Sequence, residues 1–184
     1  PLSETGKKQA DLIASRAKNI PFQKLIASPQ ARAKDTAGAI EKATGKKPEF
    51  SDLFVERIKP NSVNGKSHKD EKASRTYSRW EESLYTPGMR VEDGENYDDI
   101  ISRADKALGF LEKIAEKEIL VVTHGYFLRT IIFRVMLGSF FQPKFFEYLI
   151  KNIFMENTGL SVIKFEKAAD GYVWRLWLHN DHSH

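Results

Sequence analysis

The stretch that most restricts the fold of this chain is Glu118–Arg129, where a short apolar run leads through a histidine into a helical pattern. Ile119–Val122 is aliphatic and mostly β-branched, which is typical of a strand buried on both faces. Tyr126–Leu137 has apolar residues at helical spacing. A buried strand that turns into a helix after His124 places an imidazole at the carboxyl edge of a sheet, where open α/β sheets bind ligands. The N-terminus of that helix, near Gly125, favours an anion at the same edge.

Taken alone, His124 is explained as a core or helix-capping residue. It indicates a ligand-binding site only if other parts of the chain place matching groups at the same sheet edge. Phe22–Ala27 predicts a second strand, followed by a helix with Ser28 as its cap and Pro29 in its first position. Arg32 falls in the first turn of that helix, where an isolated arginine is usually a solvated surface residue. If the two strands are parallel neighbours, Arg32 and His124 share one sheet edge and form a phosphate-sized anion site.

A phosphoryl-transfer site also needs a general acid that protonates the leaving oxygen. Glu56 is the best-placed carboxylate, because it follows a short predicted strand at 49–53 and precedes a polar segment. A surface glutamate paired with Arg57 explains it equally well. No Asp/His cluster suggests a metal site and the chain has no cysteine, so neither a metal nor a cofactor is predicted.

The order of the predicted elements is helix, strand, helix, short strand, polar segment, helix, strand, helix and hairpin. This alternation predicts an α/β fold, a three-layer sandwich with a mostly parallel central sheet, helices on both faces and a C-terminal hairpin at the edge. The hairpin is predicted from strands at 160–165 and 172–178 joined by Asp170-Gly171. We expect a single domain over 1–184, with 59–94 as an insertion that covers one end of the sheet, because that segment is too short and polar for its own core.

The charge of the chain is mildly basic, with 29 Lys and Arg against 25 Asp and Glu. This suits a small anionic substrate but is too weak and dispersed to predict nucleic-acid binding.

No apolar run approaches the length of a membrane span, and a cytoplasmic location is expected. A homodimer is possible. The insertion is rich in cations, which fit either a polyanionic substrate or, more simply, a solvated surface: Lys59, Lys66, Lys69, Arg75, Arg79 and Arg90.

Five segments in order resemble motifs of the histidine phosphatase (phosphoglycerate mutase-like) superfamily, over residues 1 to about 165. They are Leu2–Ala10, Ser28–Ala37, Val55–Arg57, Gly94–Asn96 and Val121–Gly125. The first is similar to the start of the family's first helix, and the fourth to its Gly-Glu-Ser helix start.

The resemblance implies roles for three side chains. Arg32 corresponds to the arginine that grips the phosphoryl group, Glu56 to the acid/base glutamate and His124 to the second catalytic histidine, with Gly125 beside it at the phosphate. The implied activity is metal-independent phosphomonoester hydrolysis through a phosphohistidine intermediate, and the implied partner is a small phosphorylated substrate. Phosphoglycerate mutase-type transfer is the alternative.

One departure from the family pattern concerns the nucleophile. The family's Arg-His-Gly motif, which closes its first strand, is absent from this sequence. His68 lies in the polar insertion, and His179, His182 and His184 lie at the C-terminus, so none replaces it by motif. We therefore expect the chain to be N-terminally truncated and inactive without the missing strand, with its nucleophile upstream of Pro1. Whether a signal peptide precedes that strand stays open.

Two other classes remain as alternatives. If the chain begins at Pro1, it could bind phosphate or a phosphorylated partner without turnover. A nucleotide-binding α/β domain is a weaker alternative, because the sequence has no glycine-rich phosphate loop.

Overall fold

The computed structural model describes residues 1–67, 69–169 and 171–184. His68, predicted to lie in the polar insertion, and Asp170, predicted to form the hairpin turn with Gly171, lie outside the described residues. The helices are α1 (Glu4–Ala17), α2 (Ala31–Thr44), α3 (Glu71–Glu82), α4 (Tyr97–Leu111), α5 (Gly125–Leu137) and α6 (Pro143–Asn152). The strands are β1 (Lys24–Ala27), β2 (Pro48–Phe50), β3 (Ile119–Val122), β4 (Leu160–Ala168) and β5 (Gly171–Asp181).

The central sheet is parallel and has the order β2-β1-β3. The prediction that the two strands before Arg32 and His124 are parallel neighbours is confirmed. Ala27 and Val122, the last residues of β1 and β3, lie opposite each other in the register. The next amide extends the pairing, because the N–H of Ser28 donates to the carbonyl of Val122 over 2.9 Å. Both strands therefore end at the same edge.

Helices cover both faces of this sheet, as the three-layer prediction requires. On one face, Ile26 and Val121 pack against a cluster built largely by α4 and α5. On the other, Leu25 and Leu120 pack with α1 and α2. The alternation of neighbouring strand residues between two apolar clusters explains why Leu25–Ala27 and Ile119–Val122 are aliphatic.

The C-terminal hairpin is confirmed as an antiparallel pair of β4 and β5. It forms its own two-stranded sheet, and among the described residues β3 pairs only with β1. Ile163, Trp174 and Leu176 of the hairpin pack on the same apolar cluster as α4 and α5. The hairpin is therefore attached through side-chain packing.

Two helix boundaries differ from the sequence-based expectation. Helix α2 begins at Ala31 with Gln30 in the cap position, so Ser28 is not its cap, and the reason is a tertiary contact of Ser28 described below. Helix α4 ends at Leu111 and not near Lys117, because the chain must turn there to enter β3. The side chain of Gln23 stabilises that turn by accepting the N–H of Lys117 over 2.9 Å.

Within the described residues, no helix is both long and apolar enough to cross a membrane.

The segment 59–94 contains α3, whose first turn is capped by the carboxylate of Asp70. The side chain of Trp80 turns inward from α3 and is buried. The description of 1–184 as one domain with an insertion at 59–94 stays a prediction.

Candidate active site

Arg32 and His124 come together at the edge where β1 and β3 end. The Nε–H of Arg32 donates to Nδ1 of His124 over 3.0 Å. Arg32 follows β1 in the first turn of α2, and His124 immediately precedes α5 in an extended conformation. The side chain of Arg32 is about half exposed, whereas His124 is only 5% exposed. The imidazole is thus fixed inside the protein, with the guanidinium between it and the surface.

The second nitrogen of His124 contacts Ser28, the residue directly after β1. Nε2 of His124 and Oγ of Ser28 lie 2.8 Å apart, and Ser28 is fully buried. The Nε–H of Arg32 can only donate, so Nδ1 of a neutral His124 must accept, and the ring proton must be on Nε2. His124 therefore donates to Ser28 Oγ, which also accepts the N–H of Gln30 over 3.2 Å.

The surroundings of His124 favour its neutral form. Burial, followed by the positive charges of Arg32 and Arg103, lowers the pKa of His124 to about 4. A low pKa agrees with the hydrogen bonds, because an imidazolium has no lone pair with which to accept from Arg32. Near neutral pH the ring is a neutral donor.

Glu56 lies at the N-terminus of α5. Its Oε1 accepts the N–H of Arg57 over 3.0 Å and that of Phe127 over 3.1 Å, and its Oε2 accepts the N–H of Tyr126 over 3.3 Å. The sequence predicts an anion at this helix N-terminus, and in the structure that anion is a carboxylate of the chain itself. The positive end of the helix dipole and the unpaired amides of the first turn make this position favourable for a carboxylate.

Arg32 connects this carboxylate to the histidine. Oε2 of Glu56 lies 3.9 Å from a terminal nitrogen of the Arg32 guanidinium. The guanidinium of Arg57 pairs with Glu81, and Glu56 accepts only the backbone N–H of Arg57. The alternative explanation of Glu56 as the surface partner of the Arg57 side chain is therefore wrong. Arg32, His124 and Glu56 therefore form one cluster, in which Arg32 touches both other members. Gly125, the first residue of α5, lies between His124 and the amides held by Glu56.

The backbone around Glu56 is held in place by Arg103 of α4. The guanidinium of Arg103 donates to the carbonyls of Leu53 and Val55 over 3.1 and 2.8 Å. It also binds the carboxylate of Glu95 through two contacts of 2.7 Å each. Its planar face lies 3.9 Å from the ring centre of Phe127. Arg103 is largely shielded from solvent, and with all these partners it fixes the path of the chain into Glu56.

Arg57, next to Glu56, ties α3 to the site. Its guanidinium stacks 3.8 Å from the ring centre of Trp80 and donates to the carbonyls of Trp80 and Glu95 and to Oγ of Ser83. A terminal nitrogen also contacts Glu81 over 3.3 Å. Glu81 in turn accepts from the hydroxyl of Tyr126 in α5 over 3.2 Å. The helix of the polar segment is thereby fastened beside the start of α5.

A cavity of about 630 Å³ opens at this cluster. Its walls come from five parts of the chain and include Pro1, Arg32, Glu56, Lys59, Tyr77 and Tyr126. Burial and the negative charge of Glu81 raise the pKa of Tyr126 well above its usual value, so its hydroxyl stays protonated. Within the part of the chain that the structure describes, no group of three or more His, Asp or Glu side chains is placed to hold a metal ion.

The sequence pattern did not reveal two residues that support this cluster. Ser28 precedes a proline, which resembles a helix cap, and nothing in the sequence distinguishes a cap from a hydrogen-bond partner of His124. Arg103 did leave a signal, because it lies one turn from Ile100 and Ala107, both on the buried stripe of α4. A charged residue near such a stripe indicates a buried polar partner.

The comparisons with known proteins agree with the fold. The family model of the histidine phosphatase superfamily (branch 1) matches residues 1–181, and the chain belongs to this superfamily. A relative from Photorhabdus laumondii, named "Probable phosphoglycerate mutase GpmB", is 28% identical over 139 residues. That match covers 72% of this chain and only 61% of the relative's length.

Solved structures show the same architecture. The alpha-ribazole phosphatase from Shigella flexneri superposes with a TM-score of 0.75 at 18% identity, covering 98% of this chain and 84% of that one. The mycobacterial glucosyl-3-phosphoglycerate phosphatase gives a TM-score of 0.71 at 18% identity, with 97% and 87% covered. At these identities the likeness establishes the fold. Because the superfamily consists of phosphatases and mutases, the chain is expected to belong to an enzyme.

Proposed function

We propose that this protein hydrolyses phosphomonoesters through a phosphohistidine intermediate, at the cavity beside Arg32, His124 and Glu56. The observation that carries the proposal is the contact of Arg32 with both other residues, at 3.0 Å from His124 and 3.9 Å from Glu56. Arg32 and Glu56 line the cavity, and the imidazole of His124 lies directly behind the guanidinium of Arg32. A cation, an imidazole and a carboxylate at one place are groups that phosphoryl transfer uses.

Each residue has a distinct proposed role. Arg32 and His124 balance the negative charge on the equatorial oxygens of the transferring phosphoryl group, and the N–H of Gly125 adds a donor at the start of α5. Glu56 protonates the leaving alkoxide and then removes a proton from the water that attacks the phosphohistidine. No step in this scheme needs a metal ion or a cofactor.

The attacking histidine, in this proposal, belongs to a segment that precedes Pro1. His124 already binds Arg32 and Ser28, while His179 and His184 contact Phe154 and Thr158 far along the chain from Arg32. Pro1 lies in the wall of the cavity, so a preceding segment would arrive beside the site. These observations favour an upstream nucleophile, and residues 1–184 alone are expected to be inactive.

Phosphoglycerate mutase activity is the second candidate, because the relative from Photorhabdus laumondii carries that name. The names of the two solved structures favour a phosphatase. Release of inorganic phosphate from a phosphoglycerate indicates the hydrolase, whereas exchange of its phosphate position without release indicates the mutase. The small phosphorylated substrate, the cytoplasmic location, the homodimer and the lack of nucleic-acid binding stay predictions.

The proposal is tested by trapping the intermediate. The full-length protein is mixed with a ³²P-labelled phosphomonoester and quenched within milliseconds, and the label is mapped after proteolysis. We expect an acid-labile, alkali-stable phosphohistidine upstream of Pro1, formed equally well with and without EDTA. A label on His124, a label on a carboxylate or no label during steady turnover would overturn the phosphohistidine scheme.

A further inference from the structure

We propose that Oε2 of Glu56 is the oxygen that carries the transferred proton, and that Arg103 and Glu95 are positioning residues that orient it. This inference rests on the proposed function, because it assigns an atom and a supporting ion pair to the acid–base step of that site. In that step the N–P bond to the attacking histidine forms, the P–O bond to the alcohol breaks, and the proton on Oε2 passes to the alcohol oxygen.

The two oxygens of the Glu56 carboxylate have different surroundings. Oε1 accepts the N–H groups of Arg57 and Phe127 over 3.0 and 3.1 Å, which occupies both of its lone pairs. Among the described residues, Oε2 accepts one N–H group, that of Tyr126, over 3.3 Å. The same oxygen lies 3.9 Å from the guanidinium of Arg32, the proposed phosphoryl ligand. Oε2 therefore has a lone pair for a proton and lies on the phosphoryl side of the carboxylate.

Arg103 holds the chain directly before Glu56. One of its terminal nitrogens donates to the carbonyls of Leu53 and Val55 over 3.1 and 2.8 Å. Its planar face lies 3.9 Å from the ring centre of Phe127, the residue whose N–H binds Oε1. One guanidinium therefore contacts both the backbone that carries Glu56 and a residue that orients its carboxylate.

Glu95 holds the chain directly after Glu56 and anchors Arg103. Its carboxylate binds Nε and one terminal nitrogen of Arg103 over 2.7 Å each, and both side chains are 11% exposed. The same carboxylate accepts the N–H of Ile58 over 2.9 Å, and the N–H of Glu95 donates to the carbonyl of Ile58 over 2.8 Å. The ion pair therefore fixes the backbone on both sides of Glu56.

The ion pair lies behind the reacting groups. The described residues that line the cavity include Arg32 and Glu56, but neither Arg103 nor Glu95. Their effect on the reaction therefore passes through Glu56. Proton transfer needs hydrogen-bond distance between the acid and the leaving oxygen, so a small displacement of Oε2 slows it.

The test compares kcat/KM of the full-length protein for p-nitrophenyl phosphate and benzyl phosphate. p-Nitrophenolate leaves readily without a proton, whereas the benzyl alkoxide depends on the general acid. Arg103→Lys keeps the positive charge but loses the planar fork, so we expect it to lower kcat/KM for benzyl phosphate about tenfold more than for p-nitrophenyl phosphate. Glu95→Gln, which keeps the shape of the side chain, should show the same preference with a smaller loss.

Arg134→Lys is the matched control. Arg134 of α5 binds the carboxylate of Asp105 of α4 through contacts of 2.6 and 3.1 Å, so this variant weakens the same helix pair through contacts that do not involve Glu56. It should affect the two esters equally. In a Glu56→Gln background, Arg103→Lys should change kcat/KM for benzyl phosphate by less than about twofold, because the acid that it positions is already absent.

The positioning role has two outcomes that contradict it. One is an Arg103→Lys loss of equal size for both esters. The other is a loss that persists in full in the Glu56→Gln background.

Amide ¹H chemical shifts test the choice of oxygen without turnover. A proton on Oε2 weakens the hydrogen bond from the N–H of Tyr126, whereas the bond from the N–H of Phe127 to Oε1 is retained. Acidification should therefore move the Tyr126 amide upfield more than the Phe127 amide in the wild type but not in Glu56→Gln, and Arg103→Lys should reduce the difference. An equal or larger shift of the Phe127 amide would overturn the assignment of Oε2.

The outcomes separate this inference from the proposed function. If the full-length wild type hydrolyses neither ester, the proposed function fails, and the amide shifts decide the orientation of Glu56. If both esters are hydrolysed and Arg103→Lys slows them equally, the function stands and the positioning role fails.

Discussion

Arg32 and His124 are separated by 92 residues in the chain, and Nε of the first lies 3.0 Å from Nδ1 of the second. The contact exists because β1 and β3 are parallel neighbours that end opposite each other. It also sets the chemistry of the ring, because an arginine donor on Nδ1 directs the proton of a neutral imidazole to Nε2. Oγ of Ser28 then accepts a hydrogen bond of 2.8 Å from this Nε2–H.

Replacing Ser28 with alanine should leave the Nε2–H of His124 without its partner. We expect the free energy of unfolding to fall by about 1 to 3 kcal/mol, which is typical for a buried donor that loses its acceptor. The ¹⁵N chemical shift of Nε2 should also move, because its N–H loses the hydrogen-bond acceptor that Ser28 supplies. Ser183→Ala, at the exposed C-terminal end, is the control. A Ser28→Ala variant with wild-type stability and imidazole shifts would contradict the assignment.

The stability of the protein should fall on acidification because of His124. In the folded state its pKa is about 4, below the ordinary value of about 6.5, so the unfolded chain binds a proton that the folded protein does not. The free energy of unfolding therefore decreases as the pH falls from about 6.5 to about 4, by at most about 1.4 kcal/mol per pH unit. No such change is expected from this group above pH 7.

Urea denaturation at several pH values checks this. The His124→Gln variant lacks the contribution of the His124 titration to the free energy of unfolding. The difference in unfolding free energy between wild type and variant should therefore shrink from pH 7.5 to pH 4.5. His182→Gln, an exposed histidine, should keep the wild-type slope. A wild-type-minus-His124→Gln difference that stays constant with pH would show that the ring titrates normally.

Replacing Glu56 with glutamine should abolish most of the proposed proton transfer. The amide keeps an oxygen that can accept one of the N–H groups at the start of α5, but it cannot exchange a proton with the leaving group or water. We expect kcat to fall by about 10² to 10⁴, as is typical when a general acid or base is removed. Glu118→Gln, an exposed carboxylate outside the cavity lining, should retain full activity.

The pH profile separates proton transfer from packing. Loss of a proton-transfer group removes a limb of the pH–rate curve, whereas a packing defect scales the curve without changing its shape. A Glu56→Gln enzyme with wild-type kcat would contradict the role of Glu56.

Replacing Arg57 with lysine should loosen α3 from the core. Lysine keeps the charge but loses the planar fork that bonds several acceptors at once and the stack on Trp80. We expect the free energy of unfolding to fall by about 2 to 3 kcal/mol, measured by chemical denaturation. Arg79→Lys, on the exposed face of the same helix, should change it by less than about 0.5 kcal/mol. Equal effects of the two substitutions would disprove the anchoring role of Arg57.

The strand ends of this site could be predicted from the sequence because two local signals coincide there. Ile119–Val122 and Leu25–Ala27 are apolar runs that end at a polar residue and a helix, and parallel strands that end this way bring their corners together. Arg32 and His124 follow from that rule. The three-layer architecture follows from the alternation of the same elements.

The rest of the cluster depends on contacts that leave no local pattern. Glu56 reaches the N-terminus of α5 because Arg103, from α4, fixes the backbone at Leu53 and Val55. A serine before a proline favours a helix start, so the sequence predicts Ser28 as the cap of α2, yet its hydroxyl forms a buried hydrogen bond with His124 instead. Tertiary contacts of this kind outweigh local preferences and become visible only in the folded chain.

The most direct measurement for the proposed site is phosphate release from p-nitrophenyl phosphate by the full-length protein. The wild-type protein should turn over the ester, and His124→Ala should reduce kcat by about 10² to 10³ because a donor to the transition-state charge is lost. His182→Ala should be as active as the wild type. A wild-type protein without turnover, or a His124→Ala variant as active as wild type, would contradict the proposed function.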